Sequence, residues 1–336
     1  MGISVGLITA TRDFMNRRKN VTQIFIFGVL ICLLAFVPLI TNSPYNLHIF
    51  ILTLIYIIAA ASLRFIITSG QIPLAHGAFM GLGAYVSGVL AKHFGVTPWI
   101  TLIVAALVAM CVGTLISFPF ARLKAFYYSM ISLFFGVGML QAIESMGKLT
   151  GGITGITAIP TLFSSASKVP YYYCFLALTL ISLFILYRLE VSRIGWNLKA
   201  IEQSYLVAGS VGISVVKYRV LAVAVGCFFA GLAGGMYATY NVTVSPVSFD
   251  MTATLWLIIY VTIGGMGNFA GPIIGTLVLF LLPKYYSGLK QYTPFISAAI
   301  LFLVLYTFRN GLVSVPGLVV SFYKKRKKVK TRIDNS

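Results

Sequence analysis

The chain has 336 residues, of which 59% are hydrophobic and 9% are charged, and its net charge is +19. A soluble domain typically carries about 25% charged residues, so this composition excludes a water-soluble globular protein. The basic residues lie mostly in loops and at the chain ends beside apolar segments, which is typical of membrane proteins and argues against a nucleic-acid partner.

Apolar segments long enough to cross a hydrocarbon core of about 30 Å as helices recur along most of the chain. We predict an all-α polytopic membrane protein with about ten transmembrane helices, at residues 21–40, 47–68, 74–91, 97–119, 125–143, 170–188, 218–240, 251–265, 270–284 and 292–309. Residues 1–20 form a basic segment before this membrane domain of residues 21–310, and residues 311–336 form a basic tail after it.

The charge distribution predicts the orientation. Lysine and arginine collect in cytoplasmic loops. With ten spans, most of the 25 basic residues fall on one side, including the cluster from Lys324 to Arg332. We therefore expect both termini in the cytoplasm. Two short spans within residues 251–284, or a re-entrant pair of half-helices there, both preserve this orientation, and both alternatives stay open.

The third predicted span begins irregularly. Residues 70–73, Gly-Gln-Ile-Pro, predict a broken or late-starting helix beside a cavity, because irregular backbone is not tolerated against lipid. Gly77, Gly81 and Ala84 follow at a spacing that lets helix backbones approach closely. His76 is either a group on a transport route or one side of a hydrogen bond between helices, and we favour the hydrogen bond.

Two further glycine-rich segments interrupt the apolar pattern. Residues 149–156, Leu-Thr-Gly-Gly-Ile-Thr-Gly-Ile, lie in a predicted outer loop, either as a surface for substrate or partner or as a flexible connector. Residues 263–275 combine a glycine-rich break with Pro272, which we place one turn inside the next helix. No Lys-Ser/Thr pair follows these glycines, so they do not form a phosphate-binding loop.

The predicted cytoplasmic loop at about residues 189–217 is longer than a simple connection requires. Leu198, Ile201, Tyr205 and Ala208 recur at helical spacing and predict a short amphipathic helix. Gly212 fits the C-terminal end of that helix. Such a helix either docks a partner protein or lies flat on the membrane.

The polar residues argue against two other classes of membrane protein. The chain has six acidic residues and none lies clearly in the middle of a predicted span, which disfavours a proton-coupled secondary transporter. A stand-alone transporter nevertheless remains the alternative from a different class, since backbone carbonyls can bind sodium. The three histidines are scattered without a nucleophile–base pair, so we predict no enzymatic activity. The four cysteines show no spacing of a metal site or disulfide.

The irregular segments, taken in order, resemble the permease family of branched-chain amino acid ABC importers, in particular its LivM-type subunit. The ordered set covers about residues 47 to 283 and is specific although each match alone is weak. The matching stretches are Gly70–Tyr85, Leu149–Ile156, Ser192–Ile201 with Ala208, Gly212 and Ile213, Gly231–Ala238, Ser245–Phe249 and Gly264–Gly275. The chain departs from the family pattern at Pro73, Ala75, Thr154, Glu202 and Tyr205.

The resemblance implies a non-catalytic membrane subunit without a cofactor, in the cytoplasmic (inner) membrane of a prokaryote. Its expected partners are a second homologous permease, two cytoplasmic ABC ATPase subunits that hydrolyse ATP, and an extracytoplasmic substrate-binding protein. The expected substrates are branched-chain or other hydrophobic amino acids. Urea or short amides are the alternative within the family.

The resemblance also assigns residues to two roles. Contact with the ATPase would fall to Arg193, Gly195, Lys199, Ala200, Ile201, Glu202, Ala208, Gly212 and Ile213. The translocation pathway is expected to involve Gly70, Gln71, His76, Gly77, Phe79, Gly81, Thr150, Gly151, Gly152, Gly264, Gly265 and Gly267.

Overall fold

The computed structural model describes residues 43–163 and 167–281, with a few isolated residues between 292 and 312. The predicted span 21–40, most of the predicted span 292–309 and both basic terminal segments therefore lie outside the described residues. The chain divides into two units, residues 1–47 and residues 48–336. Of the first unit the structure describes only the start of a helix, and all features below belong to the second.

The described residues are helical, and their one extended pairing is an antiparallel bridge between Ile156 and Val244. Short helical turns lie at Gly147–Thr150, Gly152–Thr154 and Pro246–Phe249, and a π-helical turn at Leu277–Leu281. The helices are α1 (Pro44–Ile67), α2 (His76–His93), α3 (Pro98–Phe120), α4 (Ala125–Ser145), α5 (Val169–Val191), α6 (Arg193–Gln203), α7 (Tyr205–Ser210), α8 (Val215–Asn241), α9 (Met251–Gly264) and α10 (Gly271–Thr276).

Within the described part of the chain, six helical stretches are long and apolar enough to cross a membrane: α1, α3, α4, α5, α8 and Pro246–Gly264. Helix α2 is less apolar because His76, Lys92 and His93 lie at its ends, and most of its side chains are buried inside the protein. The sequence prediction of an all-helical polytopic protein is confirmed. Between residues 251 and 281 a break at Gly265 separates α9 from α10, so one continuous helix through this region is excluded.

Helix α2 packs closely against α8, and α8 packs against α3. A side chain at Gly83 on α2 would overlap the backbone of Gly231 on α8, and one at Gly234 on α8 would overlap the carbonyl of Met80. The sequence predicted close packing at Gly77 and Gly81, and both pack closely, against Phe249 in the turn before α9 and, for Gly77, also against Thr254 in the first turn of α9. Small residues thus let backbones meet on two sides of α2.

Helices α3 and α4 each expose apolar side chains. Because a lone soluble chain rarely leaves so many large apolar groups uncovered, this surface fits a lipid or protein neighbour inside the membrane. The exposed residues on these two helices include Ile103, Leu107, Leu115, Phe118, Phe126 and Phe134.

Candidate functional site

The segment between α5 and α8, residues 192–213, is called the connecting segment below. It forms two helices, α6 and α7, where the sequence predicts a single one. Ser204 causes the break: its backbone is extended and its hydroxyl accepts a hydrogen bond from the backbone amide of Val207, at 3.4 Å, which starts α7. Ser192 starts α6 in the same way.

The connecting segment buries one apolar face and leaves another uncovered. Leu198, Ile201 and Ala208 are buried as predicted, whereas Tyr205 is 38% exposed because the break at Ser204 turns it away from them. Four large apolar side chains are exposed by 62 to 71%, and none of the described residues covers them: Trp196, Leu206, Val207 and Val211.

Three glycines fix how the connecting segment sits. At Gly195 a side chain would overlap the backbone of Glu190, so α6 lies directly on the end of α5. Gly70, with a φ of +76°, packs its α-carbon face against Glu202 at the end of α6. Gly212, with a φ of +86°, ends the segment in the left-handed conformation that glycine favours.

A buried ion cluster, formed by Arg64, Glu190 and Lys199, lies under the connecting segment. Arg64 donates from Nη1 to Glu190 Oε2 at 2.6 Å and from Nη2 to Oε1 at 3.0 Å, while Lys199 Nζ lies 2.9 Å from Oε1. Arg64 and Glu190 are only 2% and 8% exposed, whereas Lys199 is 41% exposed. The cluster therefore joins α1, α5 and α6.

Sequence reasoning missed this cluster. Arg64 lies within the predicted span 47–68 and Glu190 just after the predicted span 170–188, and no sequence pattern pairs two residues that are 126 positions apart. A second acidic residue, Glu202, interacts electrostatically with Arg64 and Lys199, and the partial burial of its carboxyl raises its pKa. The two basic side chains, Arg64 and Lys199, thus face two acidic ones, Glu190 and Glu202.

The glycine-rich break between α9 and α10 touches the same cluster. Arg64 Nε donates to the carbonyl of Met266 at 2.8 Å, and the Arg64 guanidinium lies 5.9 Å from the centre of the Phe269 ring. Gly265 has a φ of +113°, which L-residues rarely adopt. Pro272 lies in the first turn of α10 and not one turn inside it, since a helix start needs no amide donor there.

The start of α2 is buried. His76 Nε2 lies 3.0 Å from the Ser62 hydroxyl and 3.1 Å from the Ala59 carbonyl, which is the hydrogen bond between helices that the sequence favoured. Gln71 is fully buried, and its side-chain amide has no hydrogen-bond partner among the described residues. Phe79 stacks on Phe135 with ring centres 6.0 Å apart.

The loop after α4 is ordered by its own contacts. Thr150 is buried and donates to the Ile143 carbonyl at 2.6 Å, and Gly151 and Gly152 adopt positive φ angles of 75° and 60°. The bridge between Ile156 and Val244 ties this loop to the end of α8. These contacts argue against a mere flexible connector.

Comparison with known proteins assigns the chain to a family. Residues 45–308 match the family described as the permease component of branched-chain amino acid transport systems. The chain belongs to this family. It is therefore a multi-pass membrane permease subunit of an ABC transport system, a class of subunit that is normally non-catalytic.

The permease is similar to several curated relatives. It is 26% identical to the high-affinity branched-chain amino acid permease LivM of Salmonella typhimurium, over 86% of this chain and 74% of the relative. A probable LivM of Methanocaldococcus jannaschii is 24% identical over 68% of this chain and 71% of the relative. The guanosine ABC transporter permease NupQ of Bacillus subtilis is 27% identical over 60% and 65%. No solved structure matches the chain.

The permease does not bring all the predicted pathway residues together. Gly70 and Gln71 lie near the first turn of α2, whereas His93 in its last turn contacts the Leu149 carbonyl of the loop after α4 at 3.1 Å. A helix of 18 residues separates these ends by about 27 Å. The glycines of the break lie beside the ion cluster, at the end where α2 begins.

The predicted ATPase-contact residues divide by exposure. Arg193, Glu202 and Gly212 are exposed, and Lys199, Ala200 and Ile213 are half-buried. Gly195, Ile201 and Ala208 are buried, so they pack the segment against the rest of the chain and do not form its exposed surface.

Proposed function

We propose that this permease and a second homologous permease form the translocation path of an importer for branched-chain or other hydrophobic amino acids. The family match over residues 45–308 supports the transport role. The observation that carries its coupling to an ATPase is the apolar surface of the connecting segment, which no described residue covers. The names of the LivM relatives support the substrate class. The guanosine permease among the relatives makes a nucleoside the second candidate substrate.

The connecting segment is proposed to face the cytoplasm and to dock one of two ABC ATPase subunits. Its exposed residues supply both kinds of contact that such a surface needs: apolar groups such as Trp196 and Leu206, and charges at Arg193 and Glu202. Desolvated aromatic side chains commonly dominate such interfaces. Lys199 pairs with Glu190 inside the chain, so we assign it to holding α6 in place and not to the partner surface.

The permease is proposed to lie in the cytoplasmic membrane of a prokaryote with both termini inside. The distribution of basic residues supports this orientation. Residues 21–310 would then be the membrane domain, with residues 1–20 and 311–336 in the cytoplasm. The outer loop, about 27 Å along α2 from the connecting segment, would meet an extracytoplasmic binding protein through Thr150, Gly151 and Gly152.

The pathway proposal follows from burial. Gln71, His76 and Phe79 lie inside the chain, so we propose that with Gly70, Gly77 and Gly81 they support the wall of the path. The break at Gly264, Gly265 and Gly267 would be the segment that changes conformation during transport, as broken helices do in other transporters.

The docking proposal is tested with Trp196→Ala. Removing this 67% exposed side chain should reduce the ATPase recovered with the tagged permease about tenfold or more, as expected for an interface anchor worth about 2 kcal/mol. Trp99→Ala is the matched control, because Trp99 is also exposed but lies at the start of α3. Equal ATPase recovery with both variants would contradict the docking surface.

The substrate proposal is tested by uptake of radiolabelled leucine into cells that express the complete transporter. Unlabelled isoleucine and valine should compete, whereas guanosine, urea and acetamide should not. Competition by guanosine alone, with no leucine uptake, would transfer the proposal to the nucleoside.

A further inference from the structure

The ion cluster is expected to contribute little to the net folding free energy of the permease. Removing two charges from water costs several kcal/mol per ion, and the attraction between them often does no more than offset this. The two guanidinium contacts to Glu190 are, however, bidentate, and this geometry fixes orientation. The cluster therefore holds the relative positions of the elements that it joins.

A continuous series of contacts runs from the connecting segment to the glycine-rich break. Lys199 on α6 contacts Glu190 at the end of α5, and Glu190 contacts Arg64 on α1. Arg64 uses its remaining donor, Nε, for the carbonyl of Met266 in the break. A parallel contact joins α5 to the break, because the Tyr187 and Phe269 rings lie edge to face with centres 5.3 Å apart.

The two ends of this series have room to move, whereas its middle is buried. Lys199 is 41% exposed on the short helix α6, next to the uncovered apolar surface. At the other end, the backbone of the break rests on glycines, and an added side chain at Gly267 would meet no atom within 4 Å. Between them, Arg64 and Glu190 are buried and paired. Movement at α6 therefore has a rigid connection to a segment that has room to respond.

We propose that Arg64 and Glu190 are positioning residues that transmit the position of α6, through Lys199, to the glycine-rich break. The inference rests on the proposed docking of an ATPase on the connecting segment. When the partner shifts α6, Lys199 pulls on the Glu190 carboxylate, and the Arg64 guanidinium carries the displacement to the Met266 carbonyl. The cluster thus links ATPase closure to the conformation of the break.

The proposal is tested by cysteine accessibility at the break in the full permease, purified with its ATPase in lipid nanodiscs. The four native cysteines are replaced by alanine, and Gly267→Cys introduces the probe site, which has open space around it. The rate of N-ethylmaleimide labelling is measured with and without Mg-ATP. With an intact cluster, the rate should change about fivefold or more between the two states.

Three changes to the cluster should reduce this response to less than about twofold while ATPase still co-purifies. Lys199→Gln removes only the outer, half-exposed link and leaves the buried pair in place. Glu190→Gln removes the centre of the cluster. The double variant Arg64→Gln with Glu190→Gln leaves no buried unpaired charge, so it keeps the test valid if the single variant fails to insert. Glu144→Gln, the same substitution at the far end of α4, is the control and should retain the full response.

A full nucleotide response in Lys199→Gln and in the double variant would overturn the proposal. The proposal would also be overturned if, with the cluster unaltered and the ATPase bound, the rate of labelling at Gly267→Cys were the same with and without Mg-ATP. Failure of any ATPase to co-purify with the unaltered chain is a separate outcome, which contradicts the proposed function and this inference with it.

Discussion

Single residues of this permease act through what they touch across long sequence distances. Arg64 serves three elements at once, since its guanidinium holds the Glu190 carboxylate and the Met266 carbonyl. Neither the hydropathy nor the residue spacing of the sequence predicts such a role. The same holds for Gly83, whose partner Gly231 lies on another helix.

The buried pair predicts a sharp asymmetry between single and double variants. Glu190→Leu leaves the Arg64 charge buried without its carboxylate and should destabilise the permease by about 3–5 kcal/mol. Adding Arg64→Met removes that charge and should recover most of the loss. Thermal denaturation in detergent, followed by gel filtration, measures both, and equal destabilisation by the single and double variants would count against the buried pair.

Gly83 should tolerate no side chain. In Gly83→Ala the new Cβ overlaps the Gly231 backbone, so α2 and α8 must separate and the folded yield should fall steeply. Gly138→Ala is the matched control, because a Cβ there meets nothing within 4 Å and alanine favours a helix by about 1 kcal/mol over glycine. Folded yield by fluorescence-detected gel filtration should be lower for the first and unchanged or higher for the second.

At the scale of elements, the sequence predicted the helices well because apolar length alone requires them in a membrane. The break near Gly265 was also predictable, since clustered glycines interrupt a helix. The division of the connecting segment was not, because a serine caps a helix only where its backbone is extended, as at Ser204, and serines also occur inside helices. Similarly, Tyr205 fits the apolar periodicity of the sequence, but the break at Ser204 interrupts that periodicity and leaves Tyr205 exposed.

The break predicts different outcomes at neighbouring glycines. Gly265→Ala forces an L-residue to a φ of +113° and should reduce uptake strongly while the protein still inserts, at a strain of about 1–3 kcal/mol. Gly267→Ala adds a methyl group to open space and should leave uptake near that of the parent. Uptake that is equally normal in both variants would show that the conformation at Gly265 does not matter for transport.

At the scale of the whole molecule, the sequence motifs placed the chain in its family before any geometry, and the family match over residues 45–308 confirmed it. The expected site was only partly predictable. Motifs indicated the connecting segment and the glycine-rich break as separate features, whereas their connection through the ion cluster appears only in three dimensions. The residues expected on the pathway lie at opposite ends of α2, and only the folded helix shows that these ends are about 27 Å apart.

Identification of whatever co-purifies with the full-length permease tests the central claim most directly. The tagged chain is extracted from its native membrane in a gentle detergent and its companions are identified by mass spectrometry. Our account predicts an ABC ATPase and a second homologous permease in comparable amounts. A chain that purifies alone, and that transports leucine in vesicles without ATP, would contradict it.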